Sequence, residues 1–177
     1  VDTAPSYGDS ESAIGRFIAE RDAKSLLVCT KLPSATQQGV SLSDIGHYVD
    51  ENLRNSLARL GRVDYYLLHD SADLFKYGRH LEKALRTIKE CGFVDHVGVS
   101  VYDTEELDLF ERYPLFDAIQ FPANIFDHRF LAENIGGFIL DRGIMAFCRS
   151  VYLQGLFLLP PESLGPQASH ACGELLR

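Results

Sequence analysis

The chain has 177 residues, 46% hydrophobic and 24% charged, with a formal net charge of −8. That length fits one domain with a sizeable core. The acidity argues against a nucleic-acid backbone as the main partner, although a local site on an acidic protein can still be positive and take a small anion. No apolar run approaches the roughly 18 residues of a membrane span, and the N-terminus lacks the basic-then-apolar pattern of a secretory signal. Four cysteines, Cys29, Cys91, Cys148 and Cys172, are scattered without CxxC spacing. Cys29 and Cys148 sit in apolar runs and read as small core residues. A disulfide framework or a metal site is not expected, and a reducing cytoplasm is the natural setting.

The first eight residues, Val1-Asp2-Thr3-Ala4-Pro5-Ser6-Tyr7-Gly8, read as a strand stub opening into a turn. A helix follows over Ser10 to Arg21, capped by Asp9 or Ser10, with Ile14, Phe17 and Ile18 at helical spacing. Leu26 to Lys31 is the next strand. Ser43 is expected to cap a long helix on which Ile45, Val49, Leu53, Leu57 and Leu60 recur, and Gly61 closes it. Val63 to His69 is a strand, followed by a loop from Asp70 to Gly78 that would form a modest lid. Leu81, Leu85 and Ile88 then mark a helix ended by Gly92.

His96 to Val101 is a further strand, and Thr104 caps a helix carrying Leu107 and Phe110. Ala118 to Pro122 is a strand, Phe130 to Arg142 a helix despite Gly136 and Gly137, and Ile144 to Cys148 the last strand. A turn-rich stretch from Pro160 to Pro166 precedes a final helix near Gln167. Alternating strands and helices predict an α/β protein of parallel βαβ units, whose nearly unbroken apolar strands suit a sheet covered on both faces. Counting the stub at Asp2, there are six strand ends. A closed eight-stranded barrel takes about 250 residues, so two strands are lacking. Neither GxGxxG nor a phosphate loop follows any strand. Three successive strand ends deliver Asp2 with Tyr7, then Lys31, then His69. A phenol serves as a general acid near neutral pH only beside a positive charge, and Lys31 is the candidate to supply it.

Six blocks in order carry a resemblance. They are Asp2 to Gly8 with Ser10-Glu11; Thr30-Lys31-Leu32; Leu57 to Gly61 leading to Asp64 to His69; Val97 to Ser100; Ile119 to Asn124; and Arg149 to Leu156. Together the chain resembles the aldo-keto reductases. The resemblance implies a (β/α)8 TIM barrel, here incomplete, with residues 1–177 forming a single domain that carries about six strands, the second through the seventh. It implies truncation at both ends, without the segment that grips the adenosine and 2′-phosphate of the cofactor.

The implied activity is reduction of an aldehyde or ketone by NADPH or NADH. Tyr7 would give the proton, Lys31 would assist it, Asp2 would hold Lys31, and His69 would orient the carbonyl. Ser100 and Gln120 match positions that bind the nicotinamide amide, and Arg149 and Ser150 belong to the same cofactor region. Two departures stand out. Val101 replaces an asparagine common in the family, and Arg149 replaces an aromatic ring, so its guanidinium would either stack or touch the pyrophosphate. Phe75, Tyr77, Tyr102, Phe126 and His128 follow strand ends and are candidate pocket residues.

The residues leave the substrate open among sugars, small aldehydes and hydroxyketones. A catalytically slow sensor of the same fold is the alternative, and a barrel hydrolase or isomerase is disfavoured because no second strand-end carboxylate pairs with Asp2. An open barrel exposes strand edges, so self-association is expected.

Overall fold

The computed structural model describes residues 1–21, 23 and 25–160. The turn-rich stretch and the final helix expected beyond Pro160 lie outside the described residues. Five parallel strands form one sheet in simple chain order: β1 (Cys29–Leu32), β2 (Tyr65–Leu68), β3 (His96–Ser100), β4 (Ala118–Pro122) and β5 (Met145–Arg149). The sixth strand end expected at Asp2 is a single parallel bridge to Cys29 and not a strand.

Helix α1 (Ser10–Glu20) precedes β1, and α2 (Ile45–Leu60), α3 (Ala72–Glu90), α4 (Asp108–Arg112) and α5 (Glu133–Asp141) connect the strands. The register Lys31↔Leu67, Leu67↔Gly98, Gly98↔Ala118 and Ser100↔Gln120 puts these side chains on one common face. Side chains alternate along a strand, so the other face takes Leu32, Tyr66, Leu68, Val97, Val99 and Ile119.

That other face meets the helices. Leu53 and Leu60 of α2 and Leu81 and Leu85 of α3 are at most 1% exposed there and form the main core with Tyr66, Leu68 and Val99. The inner face holds a small separate cluster of Cys29, Tyr65, Leu67 and Ala118, with Phe147 packed on it. Gly98 lies in this inner layer by its register with Leu67 and Ala118, and a Cβ there would stand 2.0 Å from the Ala118 carbonyl oxygen, so only glycine fits.

Several local expectations change. The helix of Leu81 begins nine residues earlier, at Ala72, so Asp70 to Gly78 is no lid. Asp73, Leu74 and Tyr77 of that first part are buried, and Gly78 kinks the helix at φ 47°. α2 is capped at Asp44 and not at Ser43, and the short 3₁₀ turn Thr104–Leu107 before α4 is capped at Asp103 and not at Thr104. The Asp44 side chain makes no capping bond to the helix, its carboxylate accepting instead from the Ser41 and Ser43 hydroxyls. Phe17 turns outward, 52% exposed. β5 is an edge: among the described residues no strand pairs on its far side, and Met145 and Cys148 are exposed. Cys148 is therefore not the core residue its apolar run suggests.

Candidate functional site

The strand ends carry the polar groups. Lys31 is the third residue of β1 and lies on the inner face, fully buried. Its Nζ donates to Asp2 Oδ1 at 2.7 Å and to the Thr3 carbonyl at 2.9 Å. A buried ammonium needs such partners, because desolvation of an unpaired charge costs several kcal/mol. Asp2 keeps 36% of its side chain exposed, so the pair bridges interior and solvent.

Tyr7 sits in the turn that leads into α1, its N–H donating to the Ala4 carbonyl at 3.0 Å. Lys31 Nζ lies 5.1 Å from the Tyr7 ring centroid. The base of this turn is anchored. Glu11, in the first turn of α1, is buried and accepts from the Thr30 hydroxyl at 2.6 Å and from Arg59 Nε at 2.6 Å. One carboxylate thereby ties α1 to β1 and to α2. The sequence showed Glu11 only as part of a motif, and its acid at a helix N-terminus would equally suit the helix dipole.

His69 follows β2, and its N–H donates to the Leu32 carbonyl at 3.1 Å. Its ring meets Tyr7 edge-on, with centroids 6.0 Å apart at 87°. Burial pushes the His69 pKa below its ordinary 6.5, and the positive charges of Lys31 and Arg149 push the same way, partly opposed by Asp2 and Asp70. The imidazole is therefore neutral near pH 7 and can offer one ring N–H while accepting at the other nitrogen.

Ser100 and Gln120 are register partners on β3 and β4, each 1% exposed. Gln120 Oε1 is buried and has no hydrogen-bond partner, a state that costs free energy unless a ligand supplies a donor. Arg149 closes β5. Its Nη2 donates to the Val101 carbonyl at 3.1 Å, and its Cζ stands 4.1 Å from the Tyr102 ring centroid. Ser150 follows with φ 60°, a left-handed conformation that few non-glycine residues adopt.

One cavity of about 400 Å³ joins Tyr7 and His69 with Ser100, Tyr102, Gln120, Arg149 and Ser150. Val151 and Tyr152 also line it. Sequence reasoning did not single these two out, because only the turn at Ser150 brings the chain back over the cavity. Two larger, mainly apolar cavities of about 670 Å³ each lie elsewhere, one on the outer side between α2 and α3, the other beside β5.

Four expected pocket residues do not line the Tyr7 cavity. Tyr77 is 2% exposed inside the outer core, its hydroxyl within hydrogen-bond reach of the Ala35 and Val40 carbonyls. Phe75 is 70% exposed and borders a separate depression with Glu106 and Leu109. Phe126 lies in the loop after β4, its N–H donating to Asn124 Oδ1 at 2.9 Å. His128 borders the cavity beside β5. Among the described residues no cluster of His, Cys, Asp and Glu could hold a metal ion.

The Aldo/keto reductase family model matches residues 1–165. Aldo-keto reductase YhdN of Bacillus subtilis is 29% identical over 163 residues, which is 88% of this chain and 48% of that protein. Among solved structures, the holo form of an aldo-keto reductase from Bacillus halodurans superposes with a TM-score of 0.71 at 23% identity, covering 88% of this chain and 53% of that one. A glycerol dehydrogenase from Gluconobacter oxydans gives a TM-score of 0.71 at 23% identity, covering 93% of this chain and 53% of that one. The chain thus spans about half the length of the relatives it matches.

Proposed function

The chain belongs to the aldo/keto reductase family, and we propose from that premise that it reduces an aldehyde or ketone to an alcohol at the Tyr7 cavity. Its five strands are then part of an incomplete (β/α)8 barrel. The observation that carries the reading is the convergence of Tyr7 and His69 on one cavity, with Lys31 buried behind Tyr7 and held by Asp2.

The balanced reaction takes one carbonyl, one NAD(P)H and one proton to one alcohol and one NAD(P)⁺. NADPH (or NADH), when bound, supplies the hydride. The residues here suit its nicotinamide amide: the unpartnered Gln120 Oε1 can accept from the amide NH₂, and the Ser100 hydroxyl can donate to the amide oxygen. This chain's own part is the proton. Negative charge grows on the carbonyl oxygen as the carbon is reduced. Tyr7 donates its hydroxyl proton to that oxygen, the Lys31 ammonium stabilises the phenolate left behind, and the neutral His69 holds the oxygen through a ring N–H. Asp2 keeps the ammonium in place and offsets its burial.

We further place the protein in a reducing setting such as the cytoplasm. Cys29, Cys91 and Cys148 are free thiols, and no described helix is long and apolar enough to cross a membrane. The edge of β5, on which no strand pairs among the described residues, supports association between copies. Light scattering is expected to show dimers or larger species, and a clean monomer contradicts that part.

The test is NADPH oxidation over a panel of aldehydes and ketones, with cofactor affinity read by fluorescence. Tyr7→Phe is expected to lower turnover by a factor of about 10² or more while NADPH affinity hardly changes. Equal loss of both contradicts the proton-donor role. Tight NADPH binding with no turnover in the unaltered chain supports a cofactor-binding sensor instead.

A further inference from the structure

Among the described residues no hydrogen bond holds the Tyr7 hydroxyl, and the side chain is half exposed. Its place beside Lys31 is therefore set by the backbone turn that carries it, between Thr3 and Ser10. Both ends of that turn are tied to one short piece of β1. Before the turn, the Thr3 N–H donates to the Cys29 carbonyl at 2.9 Å, and the Thr3 carbonyl accepts from Lys31 Nζ at 2.9 Å. After the turn, Glu11 Oε1 accepts from the Thr30 hydroxyl at 2.6 Å. The ends are also tied to each other, the Thr3 hydroxyl donating to Ser10 Oγ at 2.9 Å.

Thr30 and Lys31 are consecutive on β1, so their side chains leave on opposite faces. Lys31 grips the front of the turn from the inner side, and Thr30 grips its back from the helix side, where its register partner Tyr66 also packs. Thr3, Glu11, Thr30 and Lys31 are all buried, so water does not compete for these bonds. The charge of Glu11 is balanced by Arg59, whose Nε donates to Oε2 at 2.6 Å. Thr30 is thus not needed to neutralise the carboxylate. What its hydroxyl adds is a fixed distance between the start of α1 and the strand that carries Lys31.

We propose that Thr30 and Glu11 are positioning residues for the proton transfer: their hydrogen bond fixes the spacing between the Tyr7 phenol and the Lys31 ammonium, and so acts on the chemical step through Tyr7. This rests on the carbonyl-reductase reading.

Thr30→Val tests it, because it keeps the shape of the side chain and the Glu11–Arg59 pair but removes the hydroxyl. It is expected to lower kcat about tenfold, while KM for the carbonyl and NADPH affinity stay within about twofold. Thr30→Ser, which keeps a hydroxyl, is expected to recover most of the loss. Leu81→Ala is the control for stability alone: its melting temperature falls, while kcat measured well below melting does not. Should Thr30→Val fail to fold, Ser10→Ala loosens the same turn from a half-buried position, and is expected to lower kcat about threefold with the same split.

A second readout needs neither turnover nor cofactor. The Tyr7 ring meets His69 edge-on, so its ring current shifts the His69 C–H proton resonances, which His69→Gln identifies. Tyr7→Leu gives their position without the ring. Thr30→Val, or Ser10→Ala in its place, is expected to move them toward that position, and Leu81→Ala to leave them where they are.

An unchanged kcat in Thr30→Val, or a loss as large in Thr30→Ser, overturns the proposal. So does a fall in stability alone with the His69 resonances unmoved, and so does an unaffected Ser10→Ala where Thr30→Val does not fold. If the unaltered chain oxidises no NADPH with any carbonyl, the reductase reading fails, and the resonances still decide whether Thr30 places Tyr7.

Discussion

The two faces of the same five strands are built on different principles. The outer face, covered by α2 and α3, is aliphatic and nearly sealed, with Leu32, Leu67's neighbour Leu68, Leu81 and Leu85 all at 0% exposure. The inner face seals only a small cluster around Tyr65 and Leu67 and then gives way to Lys31, Ser100 and Gln120, which are polar and still buried. One face lowers the free energy of folding by removing apolar surface from water. The other holds charged and orphaned groups that contribute little to stability and become useful only when a ligand arrives. Stability and chemistry are thus separated by one strand's thickness.

Four outcomes bear on that contrast. The largest is on the outer face: Leu81→Ala is expected to cost about 2–5 kcal/mol in a denaturant titration, because the cavity it leaves is enclosed on all sides. Lys31→Met is the inner counterpart. It is expected to cost about 1 kcal/mol, since the buried Thr3 carbonyl loses its donor while the part-exposed Asp2 can turn to solvent. Turnover should nonetheless fall by about 10² or more. If Lys31→Met unfolds the chain as readily as Leu81→Ala, the two faces are not distinct.

A smaller effect is the pH dependence at His69. Its folded-state pKa is depressed below 6.5 by burial and by Lys31 and Arg149. Above 6.5 both states hold the neutral imidazole and there is no penalty. As pH falls from 6.5 toward the folded value the unfolded chain takes up the proton first, so stability declines. His69→Gln is expected to flatten that part of the curve of melting temperature against pH; an unchanged slope contradicts the burial.

The smallest concerns thiols. The Cys29 thiol is pushed up to about 12, chiefly by burial and next by Asp2. Peptide mapping after brief alkylation of the native chain should find exposed Cys91 and Cys148 modified and Cys29 spared. Rapid labelling of Cys29 would show that the inner face is open.

Much of this was legible in the sequence, and the omissions have physical causes. The strands showed because runs such as Tyr65–Leu68 are buried on both faces and so carry no polar residue. The ends of those runs placed Asp2, Lys31 and His69, since a polar group directly after an apolar run marks the strand mouth. Tyr77 was misplaced for a recoverable reason. Leu74, Tyr77, Leu81, Leu85 and Ile88 keep helical spacing, but Gly78 hides the continuity by kinking the helix at their midst. Cys148 misled because an apolar run reports burial only where something covers it, and nothing described covers β5. Val151 and Tyr152 were out of reach, as a left-handed serine at position 150 has no local sequence signal.

The central claim is that Lys31 acts on the reaction through Tyr7. A double-mutant cycle on turnover with Tyr7→Phe, Lys31→Met and the combined variant tests it most directly. The combined variant is expected to lose hardly more than Tyr7→Phe alone, because without the phenol there is no phenolate for the ammonium to stabilise. Losses that multiply in the double variant would contradict it, showing that the two side chains serve the reaction independently.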